Sequence, residues 1–372
     1  MLKILGIADV HLSEANNFDQ TIRCLDKVVQ WAHEYQVHFC VVAGNFYERL
    51  RPSAKENLFA ETFLSDLSKQ TQIIMIPGDF THEMGASPGI TSSIEPLKLV
   101  QHNLPITISV KPEKIKADAF KANFFTLPTP YRSILLADEN LKDLSSEEIN
   151  ALLTQKVKEI IWGFKADFDK DHFNILVAHG SVLGCAYNEE MDVGLSDIFI
   201  DPNDLDGFDF VCLGHLHKGQ KVRDNCYYSG SLNRLNFSEE HLSPHALLVE
   251  LEKGKKPKIT ELYTEATRYK TFTIDELLAI ENNDLDPETR YRVKGEIKEE
   301  DLPVLKAKLN ALPVPIKPAF TVLSNDYMRS EALTHDLGLE ASLLEYISLN
   351  PDLNDLKNDL VDKALELEKE LA

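Results

Sequence analysis

Seven polar residues stand just beyond short apolar runs: Asp9 and His11 after Ile4–Ala8, Asn45 after Phe39–Ala43, Asp79 after Ile73–Ile76, His179 after Phe173–Ala178, and His215 with His217 after Phe208–Leu213. Carboxylate, amide oxygen and imidazole are donors that suit a hard or borderline divalent cation. If such groups converge from separate strand ends, with one ligand shared by two cations ~3.5–4 Å apart, the result is a centre for phosphoryl hydrolysis. Asp9 and His11 are one residue apart, so both side chains leave the same side of an extended chain. A lone histidine after a strand is ordinarily a capping or core residue. Five such endings in one chain argue for chemistry, and Gly214-His215-Leu216-His217 is the most specific, because its two imidazoles can serve neighbouring cations.

The elements that must position these residues read as alternating strand and helix. Strand Ile4–Ala8, helix Phe18–Tyr35, strand Phe39–Ala43, helix Ser53–Lys69 and strand Ile73–Ile76 predict parallel β-α-β units. Such folds place their sites at the carboxyl ends of the strands, where the polar clusters fall. Segments Cys226–Ser229, Ala246–Glu252 and Lys258–Tyr263 predict an antiparallel continuation of a sheet. A small α/β unit follows: strand Tyr291–Ile297, helix Asp301–Leu312 and strand Ala319–Leu323, with Pro313, Pro315 and Pro318 separating helix from strand. From Ser330 the chain turns helical. Leu353, Leu356, Leu360, Ala364, Leu367 and Leu371 predict one apolar stripe, which suits either packing onto the small unit or docking on a coiled coil.

With 39 basic against 60 acidic residues, the 372-residue chain carries a net charge of −21. That excess repels a nucleic-acid backbone over most of the surface, so DNA would need a local basic patch, metal ions or a partner. Lys253, Lys255, Lys256 and Lys258 form a dense basic cluster, but Gly254 and Pro257 mark it as a hairpin turn. Arg132, Arg223, Arg234, Arg290 and Arg292 could touch phosphate, but they stand apart, and isolated arginines are usually solvated or salt-bridged. His33, His38, His102, His172, His241, His245 and His335 fit no ligand spacing. Five cysteines without a C-x-x-C pair fit neither a disulfide framework nor a zinc ribbon, and point to a reducing cytoplasm. No apolar run is long enough to span a bilayer, so no membrane association is expected, and the first residues do not match a secretory signal.

Taken together, Asp9-x-His11, Gly44-Asn45, Pro77-Gly78-Asp79, His179 and Gly214-His215-x-His217 resemble the five motifs of calcineurin-like metallophosphoesterases. The run Tyr228–Glu240 resembles the segment after the last metal motif in SbcD-type DNA nucleases. The resemblance implies an α/β fold: a metallophosphoesterase β-sandwich flanked by helices over 1–265, a small α/β capping domain over 266–328 and a C-terminal helical partner-binding segment over 329–372. It implies two metal ions, Mn²⁺ with Mg²⁺ possible, the first held by Asp9, His11 and His217, the second by Asp79, His179 and His215, with Asn45 bridging. It further implies a nuclease acting at DNA ends in DNA repair and recombination, in the cytoplasm at the nucleoid. The partner would be an SbcC-like SMC-family ATPase, with the chain as a homodimer inside a heterotetramer.

Two positions depart from the family pattern. Asn45 stands where the bridging Asp is usual, and Gly78-Asp79-Phe80-Thr81-His82-Glu83 replaces the usual G-N-H-[DE]. Asn at 45 with Asp at 79 keeps the carboxylate count, and a two-residue insertion would bring His82 in as the general acid. The competing expectation is a degenerate pseudo-nuclease, an end-binding or assembly scaffold with Phe80 in the catalytic slot. A stand-alone phosphatase or cyclic-nucleotide phosphodiesterase explains the motifs but leaves the later regions idle.

Overall fold

The computed structural model describes residues 1–79, 81–85, 92–129, 144–186, 198–281, 285–323, 339–348, 353 and 356–371. The chain divides into two compact units, one of Met1–Lys270 with Pro287–Arg290, the other of Thr271–Asp286 with Tyr291–Ala372.

The larger unit opens as alternation predicts: β1 (Leu2–Ile7), α1 (Phe18–Glu34), β2 (Phe39–Ala43), α2 (Ala54–Ser68), β3 (Gln72–Ile76) and then β4 (Ile106–Ile108), with the four strands parallel and adjacent in that order. A second sheet takes β5 (Glu113–Ala117), β6 (Ala122–Leu127), β7 (Phe173–His179), β10 (Phe210–Gly214), β11 (Gln220–Arg223) and β12 (Cys226–Tyr228), with α3 (Ser146–Ala166) between β6 and β7. Between β7 and β10, β8 (Ser181–Val182) and β9 (Phe199–Ile200) pair as a short ribbon. The chain then returns to the first sheet: β13 (His245–Leu251) lies antiparallel to β1, and β14 (Lys258–Tyr263) antiparallel to β13.

The period-2 geometry of a strand explains this layering. Leu2, Ile4, Phe39, Val41 and Ala43 point into a core shared with Phe124, Phe173, Ile175, Val177 and Phe210 of the second sheet. Their neighbours Leu5, Ile7, Cys40 and Val42 point the other way, under the helices, against Leu25, Val28, Phe63 and Leu64. Both faces of these strands are covered, which is why they read as unbroken apolar runs. Burial in α1 falls on Phe18, Thr21, Cys24, Leu25, Val28 and Ala32, a single face at 3–4 spacing. In α2, Ser53 and Glu56 close a capping box, each side chain satisfying the other residue's backbone N–H.

The fold is thus the α/β sandwich flanked by helices that the sequence predicts, with corrections of topology. Ala246–Glu252 and Lys258–Tyr263 do continue a sheet antiparallel, beside β1, but Cys226–Tyr228 lies in the other sheet, parallel to β10 and antiparallel to β11. The lysine cluster does form the β13–β14 hairpin connection. Its four cations pair with Asp209, Glu252, Asp224 and Glu250, so the hairpin presents no excess of positive charge.

In the smaller unit, β15 (Arg268–Thr273) from Thr271 onward and β16 (Thr289–Lys298) from Tyr291 onward form a sheet with β17 (Ile316–Leu323) in the order β15-β16-β17, and β16 and β17 run parallel around the helix Leu302–Ala311. Leu277, Val293 and Leu305 are its fully buried centre. Pro318 lies inside β17, opposite Val293, and not before the strand as expected. An edge strand tolerates it because one side of its ladder is unpaired. The helical region expected from Ser330 onward holds two helices among the described residues, Leu339–Ser348 and Lys357–Leu371; Leu360, Ala364, Leu367 and Leu371 of the stripe fall on the second, with Leu356 50% and Leu360 36% exposed. Among the described residues, no helix is long and apolar enough to cross a membrane.

The sandwich interior sets the stability of the larger unit. Phe124 is fully buried, with its ring centroid 4.7 Å from that of Phe39 on the opposite sheet. Phe124→Ala should cost about 3–5 kcal/mol of unfolding free energy, read from urea denaturation, by removing aromatic area and leaving a cavity that two sheets cannot close.

Candidate metal centre

Parallel strands of one sheet end side by side. Register places Ile7 beside Val42 and Ala43 beside Ile76 in the first sheet, and His179 beside Gly214 in the second. The residues that follow these strands are turned inward by an unusual backbone. Asp9, His11 and Asn45 have φ of 51°, 50° and 51°, and His215 has φ of 105°. Non-glycine residues in this region cost roughly 1–3 kcal/mol each and persist only where surrounding bonds over-determine them. Here the bonds are present. Asp9 N–H donates to Gly44 O at 3.0 Å, His11 N–H to Asn45 O at 2.9 Å, and His215 N–H to the Asp9 carboxylate at 2.9 Å. Gly44 itself has φ of 90°, and a Cβ there would sit 2.2 Å from His179 Nδ1.

Two triads result. Asp9, His11 and His217 bring one donor atom each within 4.8 Å of the others, and Asp79, His179 and His215 do the same. Asn45 lies against the second triad, its Oδ1 accepting the Asp79 N–H at 3.1 Å and its Nδ2 donating to Asp79 Oδ2 at 3.2 Å. The seven residues read from the sequence as ligands therefore share one cluster. His82 joins it: its ring meets that of His11 edge-on at 4.5 Å between centroids, and its Nδ1–H donates to the Glu48 carbonyl at 2.9 Å. Phe80 lies outside the described residues.

Three residues that sequence reasoning assigned no role support the cluster. Glu48 accepts the Nδ1–H of His11 at 2.7 Å, and Glu239 accepts that of His217 at 2.6 Å. Glu239 also holds the Leu235 N–H at 2.7 Å, and the whole side chain is buried. Glu83 is buried beneath the site, accepting N–H from Tyr47 and Gly78 at 2.7 Å each, and burial pushes its carboxyl up to about 7. Glu48 lies three residues beyond Asn45 in Gly44-Asn45-Phe46-Tyr47-Glu48, and Glu239 lies in the segment Tyr228–Glu240. Nothing in either run says which histidine it reaches.

The clamps fix the tautomers. With Nδ1–H of both rings given to carboxylates, His11 and His217 face each other through Nε2 atoms 3.1 Å apart, and one proton lies between them. Burial lowers the His11 value and keeps that ring neutral. Burial would also lower His217, but the Glu239 carboxylate bonded to it outweighs this and raises it to about 9. In the second triad, burial pushes the Asp79 carboxyl up, but the adjacent His179 and His215 imidazoles hold it well below the usual carboxylate range.

The donor set fits a pair of divalent cations. His179 anchors Nδ1–H on the Ala43 carbonyl at 2.7 Å, while its Nε2 is buried and makes no hydrogen bond. A buried imidazole nitrogen without a partner is costly unless something binds it. It faces Asp79 Oδ2 at 3.9 Å, too far for a hydrogen bond and suited to a shared ion.

Residues 2–219 match the model of the calcineurin-like phosphoesterase family. Two solved structures are similar over part of the chain. One is GAP50, the anchor in the inner membrane complex of Plasmodium, at 13% identity over 71% of this chain and 89% of that one, with a TM-score of 0.40. The other is a dimetal phosphatase from Danio rerio, at 13% identity over 71% and 96%, with a TM-score of 0.40.

Metal uptake should be tied to pH through His217. Its value in the metal-free protein, about 9, lies above the ordinary 6.5, so the proton is held at neutral pH and must leave before Nε2 can ligate. Affinity should climb with pH up to about 9, and titration calorimetry in two buffers of different ionisation enthalpy should show about one proton released from this pair. The sign for stability is opposite. The contribution of this pair to the metal-free fold is whole below 6.5 and lost as pH rises through about 9. Glu239→Gln removes the anionic anchor of the ring and should weaken metal binding about 10–100-fold.

Proposed function

Since the chain belongs to the calcineurin-like phosphoesterase family, we propose that it is a metal-dependent phosphodiesterase acting on DNA, the nuclease subunit of an SbcCD-like end-processing complex. The carrying observation is the gathering of two donor triads, Asp9-His11-His217 and Asp79-His179-His215, in one cluster at the strand ends. The finer reading, DNA as substrate and an SbcC-like ATPase as partner, is supported by the resemblance of Tyr228–Glu240. The net charge of −21, which repels DNA over most of the surface, bears on the partner alone and favours an ATPase that supplies the DNA-binding surface.

Each triad would hold one divalent cation, Mn²⁺ preferred with Mg²⁺ possible, and when bound the pair lowers the pKa of water and neutralises charge on a phosphodiester. The remaining steps belong to side chains. Asp9 and Asp79 supply the two carboxylates, and Asn45 positions Asp79 through two hydrogen bonds without adding charge. Glu48 and Glu239 hold the first pair of imidazoles in register. His82, with Nδ1–H committed to the Glu48 carbonyl, has Nε2 as the remaining nitrogen on its ring, and the imidazolium form would pass its Nε2 proton to the departing oxygen and return to the neutral ring.

One observation favours a second reading. The Asn45 amide donates to Asp79 Oδ2, the oxygen nearest both His179 and His215, and so competes with a cation for it. A scaffold without chemistry would tolerate this.

Elemental analysis after Mn²⁺ loading, followed by cleavage of a linear duplex with the partner ATPase present, separates the two. The enzyme reading expects close to two metals per chain, cleavage, and a loss of about 10²–10⁴-fold in rate for His82→Ala with metal content unchanged. One metal or none, with cleavage appearing only in Asn45→Asp, would make the chain a scaffold.

A further inference from the structure

Away from the metal cluster, the larger unit has a cavity of about 460 Å³ whose lining includes Arg23, Arg234, Arg268, Thr267, Glu265 and Glu288. On a chain of net charge −21 a concavity built around three guanidinium groups runs against the average surface. Two of them lack a carboxylate within ion-pair distance among the described residues. Arg23 bonds only the Gln20 side-chain oxygen. Arg234 donates Nε to the Leu242 carbonyl and Nη1 to the Thr267 carbonyl, at 2.9 Å each, which fixes its plane, neutralises nothing and leaves Nη2 uncommitted. Burial works against the Arg234 charge more than the nearby Glu239 and Glu240 carboxylates favour it, a remaining penalty that a bound anion would offset.

A second, independent feature lies in the same lining. Thr267 is 7% exposed, and its hydroxyl is buried without a hydrogen-bond partner. Its backbone is fully engaged, the N–H on Asn233 Oδ1 at 2.7 Å and the carbonyl on Arg234, so the hydroxyl remains to be satisfied. The two carboxylates do not fill the need. Glu265 and Glu288 have side chains 80% and 76% exposed, and they face Lys27 at 3.9 Å and Arg268 at 3.5 Å. Solvent and salt screen their repulsion at the rim, whereas Arg234 and Thr267 are the more buried part of the lining.

We propose that this cavity is an anion site for a phosphoryl group, held by the guanidinium groups of Arg23 and Arg234 and the hydroxyl of Thr267, with Arg268 at the edge. Planar guanidinium donors match phosphate oxygens in pairs, and a hydroxyl adds a third direction. A cavity of this size accepts a nucleotide as readily as one phosphate of a nucleic-acid backbone, and both present the same chemistry. The site does not rest on the metal centre and stands if the phosphodiesterase reading falls.

Titration calorimetry of inorganic phosphate, 5′-AMP and a short single-stranded oligonucleotide into the full chain, both Mn²⁺-loaded and chelated, tests it. Binding of a phosphoryl probe should persist after chelation, weaken about tenfold in Arg23→Gln and by a smaller factor, about threefold, in Thr267→Val, with the thermal midpoint unchanged. Saturable 5′-AMP binding no weaker than that of the oligonucleotide identifies a small phosphorylated ligand. Tighter oligonucleotide binding with a steep loss in salt identifies the backbone as the source. Binding that vanishes on chelation, or that Arg23→Gln and Thr267→Val leave unchanged, overturns the proposal.

Discussion

The larger unit depends on a close approach between its two sheets at the carboxyl ends of β2 and β10. Gly214 closes β10, and a Cβ at that position would lie 1.9 Å from the Ala43 carbonyl at the end of β2. Because no side chain intervenes, the loops after both strands meet. His179 reaches across to bond the Ala43 carbonyl, and His215 N–H reaches the Asp9 carboxylate. Were the sheets a methyl group further apart, the imidazoles of one sheet and the carboxylates of the other would be separate surface features with no common centre.

That approach concentrates charge, and the surrounding groups manage it. The four imidazoles of the two triads converge on two carboxylates, and two further carboxylates, Glu48 and Glu239, stand behind the pair on the His11 side. They orient the rings and set where protons rest, which leaves the facing Nε2 atoms of His11 and His217 sharing one proton. On the other side the Ala43 carbonyl does the same for His179 at no charge. Asp79, held by Asn45, places its negative charge beside His179 and His215.

Backbone strain is gathered at the same place. Asp9, His11, Asn45 and His215 all have positive φ, a cost that the apolar layers on both sides of each sheet can carry. The segment Asn233–Glu239 ties the site to another part of the unit. Glu239 orients His217, and Arg234, five residues earlier, lines the arginine cavity.

Much of this was legible because strand ends advertise themselves. Apolar runs such as Phe39–Ala43, followed by glycine and a donor, mark both a buried strand and the edge where chemistry can begin, so the parallel β-α-β opening and the seven donors could be read locally. Periodicity is a property of a few neighbouring residues, and it does not say which sheet a strand joins. That β13 returns to β1 while β12 stays beside β10 is decided by which apolar faces remain to be covered. The sequence by itself determined the donor types, their order and their attachment to strand ends. Only the tertiary structure decided that Glu48 serves His11, that Glu239 serves His217 from 22 residues away, and that Arg23 joins Arg234, since these pairings depend on the packing of separate layers.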